Sequence, residues 1–481
     1  MKVLSVASEV FPLIKTGGLA DVVGALPLAL RAQDVDVRTL LPAYPAVKEK
    51  IAEATVALAY DDLFGGPARV LADRVDGLDL LAIDAPHLYD RPGNIYLGPD
   101  GLDWPDNAQR FAALARVGAD IGLGAIADFN PAVVHAHDWQ AALAPAYLHF
   151  SDRPRPRTIV TIHNLAFQGH FPLSVFGALG LPDSALSLDG VEYFGGVGYL
   201  KAGLRLADAI TTVSPTYARE IMTPEFGMAL DGLLRSRAPV VHGILNGIDD
   251  KVWNPATDSA LVQTYNALRI DMRARNKTAL QNKLSLRPGL DPPLVGVVSR
   301  LSDQKGLDLL LHALPSFIAR GGQLALLGSG EKSLQEGFAS AASAWRGAVG
   351  CVFGYDEKLA HLIQGGADFV VVPSRFEPCG LTQLCALRYG APPIVSRVGG
   401  LADTVIDANE AACSAGVATG FQFSPPSVEG LSYALERAVD LMGNPSAMRR
   451  VRLNGMRADV SWRGPAERYA ALYRSLVKTA A

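Results

Sequence analysis

The chain is poor in cysteine: its 481 residues include four, Cys351, Cys379, Cys385 and Cys413, all in the last third. None belongs to a C-x-x-C pair, and a disulfide framework would need more cysteines, spread more widely, so a reducing cytoplasm is the simplest location. No run of about 18 uncharged apolar residues occurs, so no membrane span is predicted. The opening run Met1–Ala7 is too short for a signal peptide and is interpreted as a first β-strand.

An excess of charge of one sign is also absent. Lys and Arg total 44 and Asp and Glu total 48, which gives a formal net charge of −4. A chain with this balance is not expected to bind nucleic acid or an anionic membrane, and an anionic ligand would need cations concentrated at one place. Hydrophobic residues make up 49% and charged residues 19% of the chain, which is typical of a globular protein.

Several common functional motifs are missing. There is no G-x-x-x-x-G-K-[ST] loop and no G-x-S-x-G elbow, so a P-loop nucleotidase and a serine hydrolase are not favoured. Gly122–Ala127 imitates a dinucleotide fingerprint but follows a helical pattern instead of a strand. Asp34–Asp36 fits a D-x-D pattern but leads into a β-branched run. His135 and His137 would share one face of an extended segment without further ligands nearby, so no metal is predicted.

The length exceeds what one core supports, about 250–300 residues, so two domains are expected. Short apolar runs alternate with helical stretches, which is the pattern of parallel sheets built from βαβ units. In the first half, strands are predicted at Val3–Ala7, Val35–Leu41, Ala132–His135, Thr158–Ile162 and Ala209–Val213. In the second half, they are predicted at Leu294–Ser299, Gln323–Leu327, Gly350–Phe353, Phe369–Val372 and Pro393–Ser396. Tyr60–Tyr96 is less regular, and the order of its strands stays open.

These two series predict an α/β protein with two Rossmann-like domains. The N-terminal domain is expected over residues 1–246 and the C-terminal domain over 291–455, joined by a polar, helix-prone linker over 247–290. Residues 456–481 are expected to form a helix that packs back on the N-terminal domain. Two such domains facing each other would bind ligands in a cleft at the carboxyl ends of their strands.

The first candidate binding segment is Lys15–Leu19. Its two glycines permit backbone conformations that a side chain would block, so amides can approach a ligand closely. A following helix would direct its N-terminal N–H groups at that ligand, and Lys15 adds a full charge, so a phosphate or diphosphate contact is predicted. The alternative is a glycine turn with a solvated lysine. Gly17–Val23 recurs almost unchanged as Gly399–Val405, which indicates two similar halves unless the match is chance.

The second candidate segment is Ser299–Gly306, directly after a predicted strand. Arg300 and Lys305 flank a tight loop there. A diphosphate leaving group gains negative charge as its bond breaks, and fixed cations would stabilise that transition state more than the ground state. The alternative is two exposed charges.

The third candidate segment, Val372–Gln383, is the most specific. A buried strand ends, a Pro-rich turn presents Glu377, and Gly380 opens a helix whose N-terminus suits a diphosphate. Glu377 would then lie beside the sugar that the diphosphate carries. The alternative is an ion pair between Glu377 and Arg375 that holds the loop.

Taken together, these segments resemble the family of bacterial glycogen synthases and plant starch synthases. The matching segments are Lys15–Asp21, Tyr96–Gly101, Trp104–Asn107, His135–Trp139, Asn246–Asp249, Ser299–Leu301 with Lys305-Gly306, and Pro373–Gln383. They occur in family order and span most of the chain. The resemblance implies a GT-B architecture and a hexosyltransferase that moves glucose from ADP-glucose to the non-reducing end of an α-1,4-glucan, with retention. It implies no metal and no cofactor, because ADP-glucose is a substrate.

The resemblance also implies roles for individual residues. Glu377 would face the glucosyl ring, Asp138 would lie near the reacting centre, and the backbone carbonyl of His163 would face developing positive charge. Tyr96 and Trp139 would stack on acceptor glucose rings, although aromatic side chains more often pack in a core. The implied donor-binding residues are Lys15, Gly17, Gly18, Asp21, Asn246, Arg300, Lys305, Tyr355, Cys379, Gly380, Leu381 and Thr382, with Tyr355 packed on the adenine.

Some choices stay open at this point. Many GT-B relatives carry a ribose-binding glutamate where this chain has Cys385, so the ribose contact is unassigned. The preference for ADP over UDP rests on resemblance, and the alternatives are a UDP-glucose transferase or a non-catalytic glucan-binding scaffold. A front-face attack and a double displacement would both give retention.

Overall fold

The computed structural model describes residues 1–51 and 53–478 and divides into two compact units. The first unit consists of Met1–Asn246 together with the chain from Trp462 onward, and the second is Gly247–Ser461. The first unit is therefore built from both ends of the chain, whereas the second is one continuous segment. No helix in the described part is both long and apolar enough to span a membrane.

The strands form one large sheet in each unit and a small sheet in the first. Strands of the first unit are β1 (Lys2–Val6), β2 (Asp36–Pro42), β3 (Thr55–Tyr60), β4 (Ala68–Val75), β5 (Leu78–Asp84), β6 (Val133–His137), β7 (Arg157–Ile162), β8 (His170–Pro172), β9 (Glu192–Tyr193), β10 (Gly196–Gly198), β11 (Ala209–Thr212) and β12 (Val241–Gly243). Strands of the second unit are β13 (Leu294–Val298), β14 (Gln323–Gly328), β15 (Val349–Phe353), β16 (Phe369–Val372), β17 (Pro393–Ser396) and β18 (Phe421–Phe423).

Helices connect most of these strands. They are α1 (Gly18–Leu30), α2 (Pro45–Lys48), α3 (Pro86–Tyr89), α4 (Asn107–Gly122), α5 (Asp138–Ala141), α6 (Ala144–His149), α7 (Tyr199–Leu206), α8 (Pro215–Glu220), α9 (Asp231–Ser236), α10 (Arg273–Lys283), α11 (Leu307–Ala319), α12 (Lys332–Ala344), α13 (Glu357–Gly366), α14 (Thr382–Arg388), α15 (Gly399–Thr404), α16 (Glu410–Ser414), α17 (Val428–Met442), α18 (Pro445–Arg457) and α19 (Arg463–Lys478). Short 3-10 helices lie at Arg31–Gln33, Leu173–Ala178, Asp183–Ala185, Ala238–Val240, Ala267–Met272 and Asp303–Lys305.

The order of the strands places a switch point in each sheet. The second unit has the order β15-β14-β13-β16-β17-β18, with every pairing parallel, and the direction of the order reverses between β13 and β16. The first unit has the order β12-β11-β7-β6-β1-β2-β5-β4-β3, and its parallel part reverses between β1 and β6. Ligands of such sheets bind outside the carboxyl ends of the strands at the reversal. The residues that follow β1, β6, β13 and β16 are therefore the ones to inspect.

Every strand predicted from the sequence is present, with ends that differ by no more than two residues. The irregular region Tyr60–Tyr96 contains β4 and β5, which run antiparallel to each other at the edge of the first sheet. β12 and β18 were not predicted, because three residues are too few to show a hydrophobic period.

The predicted interdomain linker, residues 247–290, is instead part of the second unit. Leu280 in α10 packs in one cluster with Leu294 and Ala325 of the sheet. The buried guanidinium of Arg273 donates to the carbonyls of Gln364 and Ala367 at 2.9 and 2.8 Å. The prediction is wrong because the helix satisfies buried polar groups by hydrogen bonds, so its polar composition resembles that of a solvated linker.

In the C-terminal segment, the last helix begins seven residues after the predicted start at residue 456. α18 ends at Arg457, and α19 begins at Arg463 in the first unit. Tyr469 and Tyr473 of α19 are buried in one cluster with apolar residues of β1 and α1. The last helix thus completes the core of a domain that begins at the other end of the chain.

Candidate active site

A buried carboxylate, Glu9, organises the loop between β1 and α1. Glu9 is 3% exposed. Its Oε2 accepts the backbone N–H groups of Thr16 and Gly17 at 2.5 and 3.3 Å, and its Oε1 accepts the Thr16 hydroxyl at 2.8 Å. The Tyr96 hydroxyl also donates to Oε1, at 2.8 Å. Sequence reasoning missed Glu9, although a lone acidic residue in an apolar run just after a strand was a usable signal.

Neither the backbone conformation nor the packing of this loop requires glycine at positions 17 and 18. Gly17 has φ −155°, an extended conformation open to any residue, so the predicted need for a special backbone conformation is wrong there. A Cβ at Gly17 or Gly18 would meet no heavy atom within 4 Å. The loop thus leaves open space in front of α1. Lys15 borders that space, and its Nζ lies 2.7 Å from Oδ1 of Asp21.

Asp138 directly follows β6, at the other side of the same switch point. It is a non-glycine residue in the left-handed region, with φ +54°, and its Oδ1 accepts the backbone N–H of His163 at 2.7 Å. Burial raises the pKa of Asp138 to about 7, against the lowering effect of the His163 and Asn164 amides, and the charge of Glu9 raises it further. A backbone strained at this position, together with a perturbed carboxyl, is typical of a functional site.

Neutral histidines hold the His163 ring. His163 Nε2 lies 3.0 Å from His137 Nδ1, and His137 Nε2 lies 3.2 Å from the Ser5 hydroxyl. Burial lowers the pKa of His163 to about 3 and that of His137 well below its usual range. These rings therefore carry no charge at neutral pH. Among the residues that the structure describes, no three His, Cys, Asp or Glu side chains form a group that could hold a metal ion.

The two predicted acceptor residues are engaged in packing. The Tyr96 hydroxyl lies 2.7 Å from the Ser8 hydroxyl and also contacts Glu9. The Trp139 ring lies 4.9 Å from that of Phe111 and 5.8 Å from that of Phe171, between ring centroids. Both side chains are half-buried, so packing alone accounts for them, and their stacking on acceptor sugars stays a prediction.

Asn246 lies shortly after β12 and ends the first unit. It is 9% exposed, and its Oδ1 accepts no hydrogen bond from any described residue. A buried carbonyl without a partner is unfavourable unless a ligand supplies the donor.

In the second unit, the segments after β13 and β16 meet at the switch point. Lys305 Nζ lies 2.5 Å from Glu377 Oε2, and the Ser374 hydroxyl donates to the same oxygen at 2.8 Å. Glu377 is 6% exposed. Gly306 has φ +61°, and a Cβ there would lie 2.1 Å from the carbonyl oxygen of Pro373. Glycine is required at this position because the two loops approach so closely.

The two arginines of these loops differ in kind. Arg375 donates from both ends of its guanidinium to the Asp308 carboxylate at 2.7 Å, and to the Asp303 carbonyl at 2.7 Å. The proposed Glu377–Arg375 pair is therefore wrong: Arg375 fixes the loop to α11, while Glu377 pairs with Lys305. Arg300 is exposed, and no described residue forms an ion pair or hydrogen bond with its guanidinium.

The turn before α14 is fixed by hydrogen bonds between residues of the turn and of the helix that follows it. Gly380 has φ +74°, and a Cβ there would lie 2.4 Å from Oε1 of Gln383. Gln383 Nε2 donates to the carbonyls of Cys379 and Gly380, both at 3.0 Å. This leaves the backbone at Leu381 and Thr382 to start the helix. Tyr355 lies elsewhere in the unit, just after β15, with 81% of its surface exposed.

The repeated Gly-Gly-Leu-Ala-Asp segments are not equivalent in the structure. The first follows β1, and the second follows β17, the next strand beyond the switch-point pair. A Cβ at Gly399 would lie 1.9 Å from the Glu377 carbonyl oxygen, and one at Gly400 would lie 2.2 Å from that of Cys379. The second pair of glycines therefore packs against the Glu377 turn, whereas the first pair faces open space.

The comparisons with known proteins identify these two α/β units, with basic and acidic side chains at the switch points of their sheets, as those of a glycosyltransferase. Residues 2–236 match the family model described as starch synthase catalytic domain, and residues 281–452 match that of glycosyl transferases group 1. Two glycogen synthases of Rhodopseudomonas palustris are 62% and 61% identical over 477 residues, which are 99% of this chain and 99% of each relative. The catalytic domain of starch synthase IV from Arabidopsis thaliana, solved with ADP and acarbose, has a TM-score of 0.88 at 33% identity and 99% coverage of both chains. The chain belongs to the glycogen and starch synthase family.

The predicted fold class and enzyme class are thereby confirmed: the protein is a GT-B glycosyltransferase with two Rossmann-like α/β domains. The non-catalytic scaffold is no longer an alternative, because the family match extends over the whole chain. The roles of the individual site residues stay predictions.

Proposed function

We propose that this protein is a cytoplasmic glycogen synthase that transfers glucose from ADP-glucose to the non-reducing end of an α-1,4-glucan, with retention and without a metal or cofactor. The observation that carries the proposal is the Lys305–Glu377 pair at the switch point of the second sheet. In this pair the Lys305 ammonium, which can bind a diphosphate, lies beside the Glu377 carboxylate, which can bind a sugar. The four cysteines in thiol form are consistent with a reducing compartment.

In this proposal the second unit holds the ADP moiety. Arg300, whose guanidinium has no partner in the described chain, and Lys305 neutralise the diphosphate, and the backbone at Gly380–Thr382 donates to it. Two cations at the leaving group supply charge stabilisation that a metal ion would otherwise provide. Tyr355 is exposed enough to pack on the adenine. Cys379 contributes through its backbone, because its side chain is buried.

Glu377 contacts the glucosyl ring. Its Oε2 is occupied by Lys305 and Ser374, whereas no described residue donates to its Oε1. Oε1 can therefore accept a hydrogen bond from a sugar hydroxyl. Lys305 and Ser374 hold the carboxylate in one orientation, which is the preorganisation that a transition-state contact needs.

The first unit supplies the groups that face the reacting carbon and the acceptor. Asp138 and the carbonyl of His163 stabilise positive charge that develops on the sugar as ADP leaves. Lys15, with the open space at Gly17 and Gly18, accommodates the donor, and the orphan Oδ1 of Asn246 accepts a hydrogen bond from it. Asp21 orients Lys15.

The decisive experiment compares glucose transfer to glycogen from ADP-glucose and from UDP-glucose, each with and without a strong chelator. We expect transfer from ADP-glucose, at a rate that the chelator does not change. Preference for UDP-glucose would replace the donor assignment with the alternative transferase. A strict metal requirement would contradict the proposed role of Arg300 and Lys305.

Two substitutions test the site itself. Lys305→Ala should lower turnover by about 10²–10³-fold, or about 2.7–4 kcal/mol, as removal of an electrostatic stabiliser does. Glu377→Ala should lower turnover by orders of magnitude while circular dichroism shows an intact fold. Near-normal turnover of either variant would exclude the assigned role.

A further inference from the structure

Two backbone N–H groups directly before α1, those of Thr16 and Gly17, are already occupied. A helix that follows a glycine-rich loop ordinarily offers these groups to an anionic ligand. Here the N–H groups of Thr16 and Gly17 both point at Oε2 of Glu9. An internal carboxylate therefore takes the place that a phosphate oxygen would take in such a loop.

The orientation of Glu9 is fixed by a second group of contacts. Ser8 and Tyr96 are linked through their hydroxyls, and Tyr96 in turn donates to Glu9. Tyr96 is held at its backbone as well, by Asn94 Oδ1 at 2.8 Å and by the side-chain amide of Asn107 at 3.0 Å. The Glu9 carboxylate thus accepts four hydrogen bonds, from Thr16, Gly17 and Tyr96.

Nothing in the described chain neutralises this buried charge. No Lys, Arg or His among the described residues forms an ion pair with Glu9, and nearby Lys15 is directed to Asp21. A buried carboxylate without a cation is expensive, even when it is hydrogen-bonded. What offsets this cost is the four hydrogen bonds that Glu9 accepts, three of which come from the Thr16-Gly17 segment of the loop.

We propose that Glu9 is a positioning residue of the donor site, which fixes the Lys15–Gly18 loop by occupying its amides. The loop then meets the donor through the Lys15 ammonium and through the open space at Gly17 and Gly18, and not through the Thr16 and Gly17 N–H groups. This inference rests on the proposed function. It also gives Tyr96 a part in donor binding, through Glu9, in place of the predicted acceptor contact.

Two substitutions at Glu9 separate geometry from charge. In Glu9→Gln, the amide oxygen can accept the two backbone N–H groups, while the NH2 group donates to the hydroxyls of Thr16 and Tyr96, which can rotate. The loop geometry is kept and the charge is lost. In Glu9→Ala, the Thr16 and Gly17 N–H groups lose their acceptor. Thr16→Val and Tyr96→Phe each remove one hydrogen bond to Glu9. These milder variants replace Glu9→Ala in the test if that variant does not fold.

The test measures steady-state kinetics of the full-length protein with ADP-glucose and glycogen. We expect Glu9→Ala to lower kcat/KM for ADP-glucose by about 10²-fold, as loss of positioning does. Glu9→Gln should recover activity to within about tenfold of wild type, and Thr16→Val and Tyr96→Phe should each lower it by about tenfold. The KM for glycogen should not change. Glu225→Ala is the matched control, since Glu225 is an exposed glutamate of the same unit.

Hydrogen–deuterium exchange of the ligand-free protein tests, without a substrate, whether Glu9 holds the Lys15–Gly18 loop. The peptide that contains Thr16 and Gly17 should exchange faster in Glu9→Ala and regain protection in Glu9→Gln. Unchanged exchange in Glu9→Ala, or a Glu9→Gln variant as inactive as Glu9→Ala, would overturn the inference. If the wild-type protein transfers no glucose from ADP-glucose, the proposed function fails, but the exchange result still decides whether Glu9 holds the loop.

Discussion

At the scale of single residues, Asp138 combines a strained backbone with a carboxyl that resists ionisation. Its ordinary pKa of 3.8 is raised to about 7, chiefly by burial. Between these values the unfolded chain has released its proton and the folded protein has not. The folded state then binds more protons, so the free energy of unfolding falls as the pH rises through this range and levels off above pH 7.

Asp138→Asn removes this titration. Asparagine tolerates the left-handed conformation and keeps an oxygen for the His163 amide. We expect the variant to gain stability relative to wild type as the pH rises from 4 to 7, by a total of about 4 kcal/mol, while transferase activity is lost. Urea unfolding at several pH values measures the difference, with Asp183→Asn as an exposed control. A difference that does not depend on pH would show that Asp138 does not titrate as the structure indicates.

Arg375 and Arg300, in the two loops at the switch point of the second unit, lead to opposite predictions. Arg375→Ala removes a bidentate pair with Asp308 and should lower the free energy of unfolding by about 1–2 kcal/mol. Arg300→Ala removes no ion pair and no guanidinium hydrogen bond within the described chain, so stability should change by less than about 0.5 kcal/mol. Its kcat/KM for ADP-glucose should fall by about 10²–10³-fold. Denaturant unfolding and kinetics on both variants check this, and a reversed pattern would exchange the structural and functional assignments.

At the scale of elements, sequence reasoning succeeded where a hydrophobic pattern alone identifies a strand or where a charged residue marks a functional turn. β16 is a run of apolar residues buried throughout, and the turn after it carries Glu377 beside two prolines. It failed where a polar group is satisfied by a distant partner. The acceptors of Arg273 and the donors to Glu9 lie far along the chain or in a loop without periodicity, so composition misassigned α10 and overlooked Glu9.

Helix α19 gives a prediction at this scale. The Tyr473 hydroxyl lies 2.8 Å from His135 Nδ1, and both side chains are 1% exposed. Tyr473→Phe leaves this buried nitrogen without its partner, which should lower the free energy of unfolding by about 1–3 kcal/mol. Tyr433→Phe, at a tyrosine that is 63% exposed, is the control and should change little. Hydrogen exchange should quicken in α19 and β6; a change confined to the second unit would contradict this packing.

At the scale of the whole molecule, the chain builds one continuous unit and one discontinuous unit. The second unit has its own parallel sheet and its own core, which includes residues of α11, β14 and α17. The first unit instead needs residues from both ends of the chain. The sequence predicted two domains from length and from two series of strands, and it placed the start of the last helix at residue 456, whereas the chain joins the first unit at Trp462.

This asymmetry predicts how fragments behave. Residues 247–461 alone should fold cooperatively, whereas residues 1–246 should aggregate, because without α19 the apolar side chains of Val3, Leu26 and Ile244 are uncovered. Joining residue 246 to residue 462 through a short glycine linker should restore a soluble first unit. The join is short because Ile248 and Ser461 pair side by side in a β-bridge. Circular dichroism melts and gel filtration of the three fragments measure this, and a soluble, cooperatively folded 1–246 fragment would show that α19 is dispensable to that core.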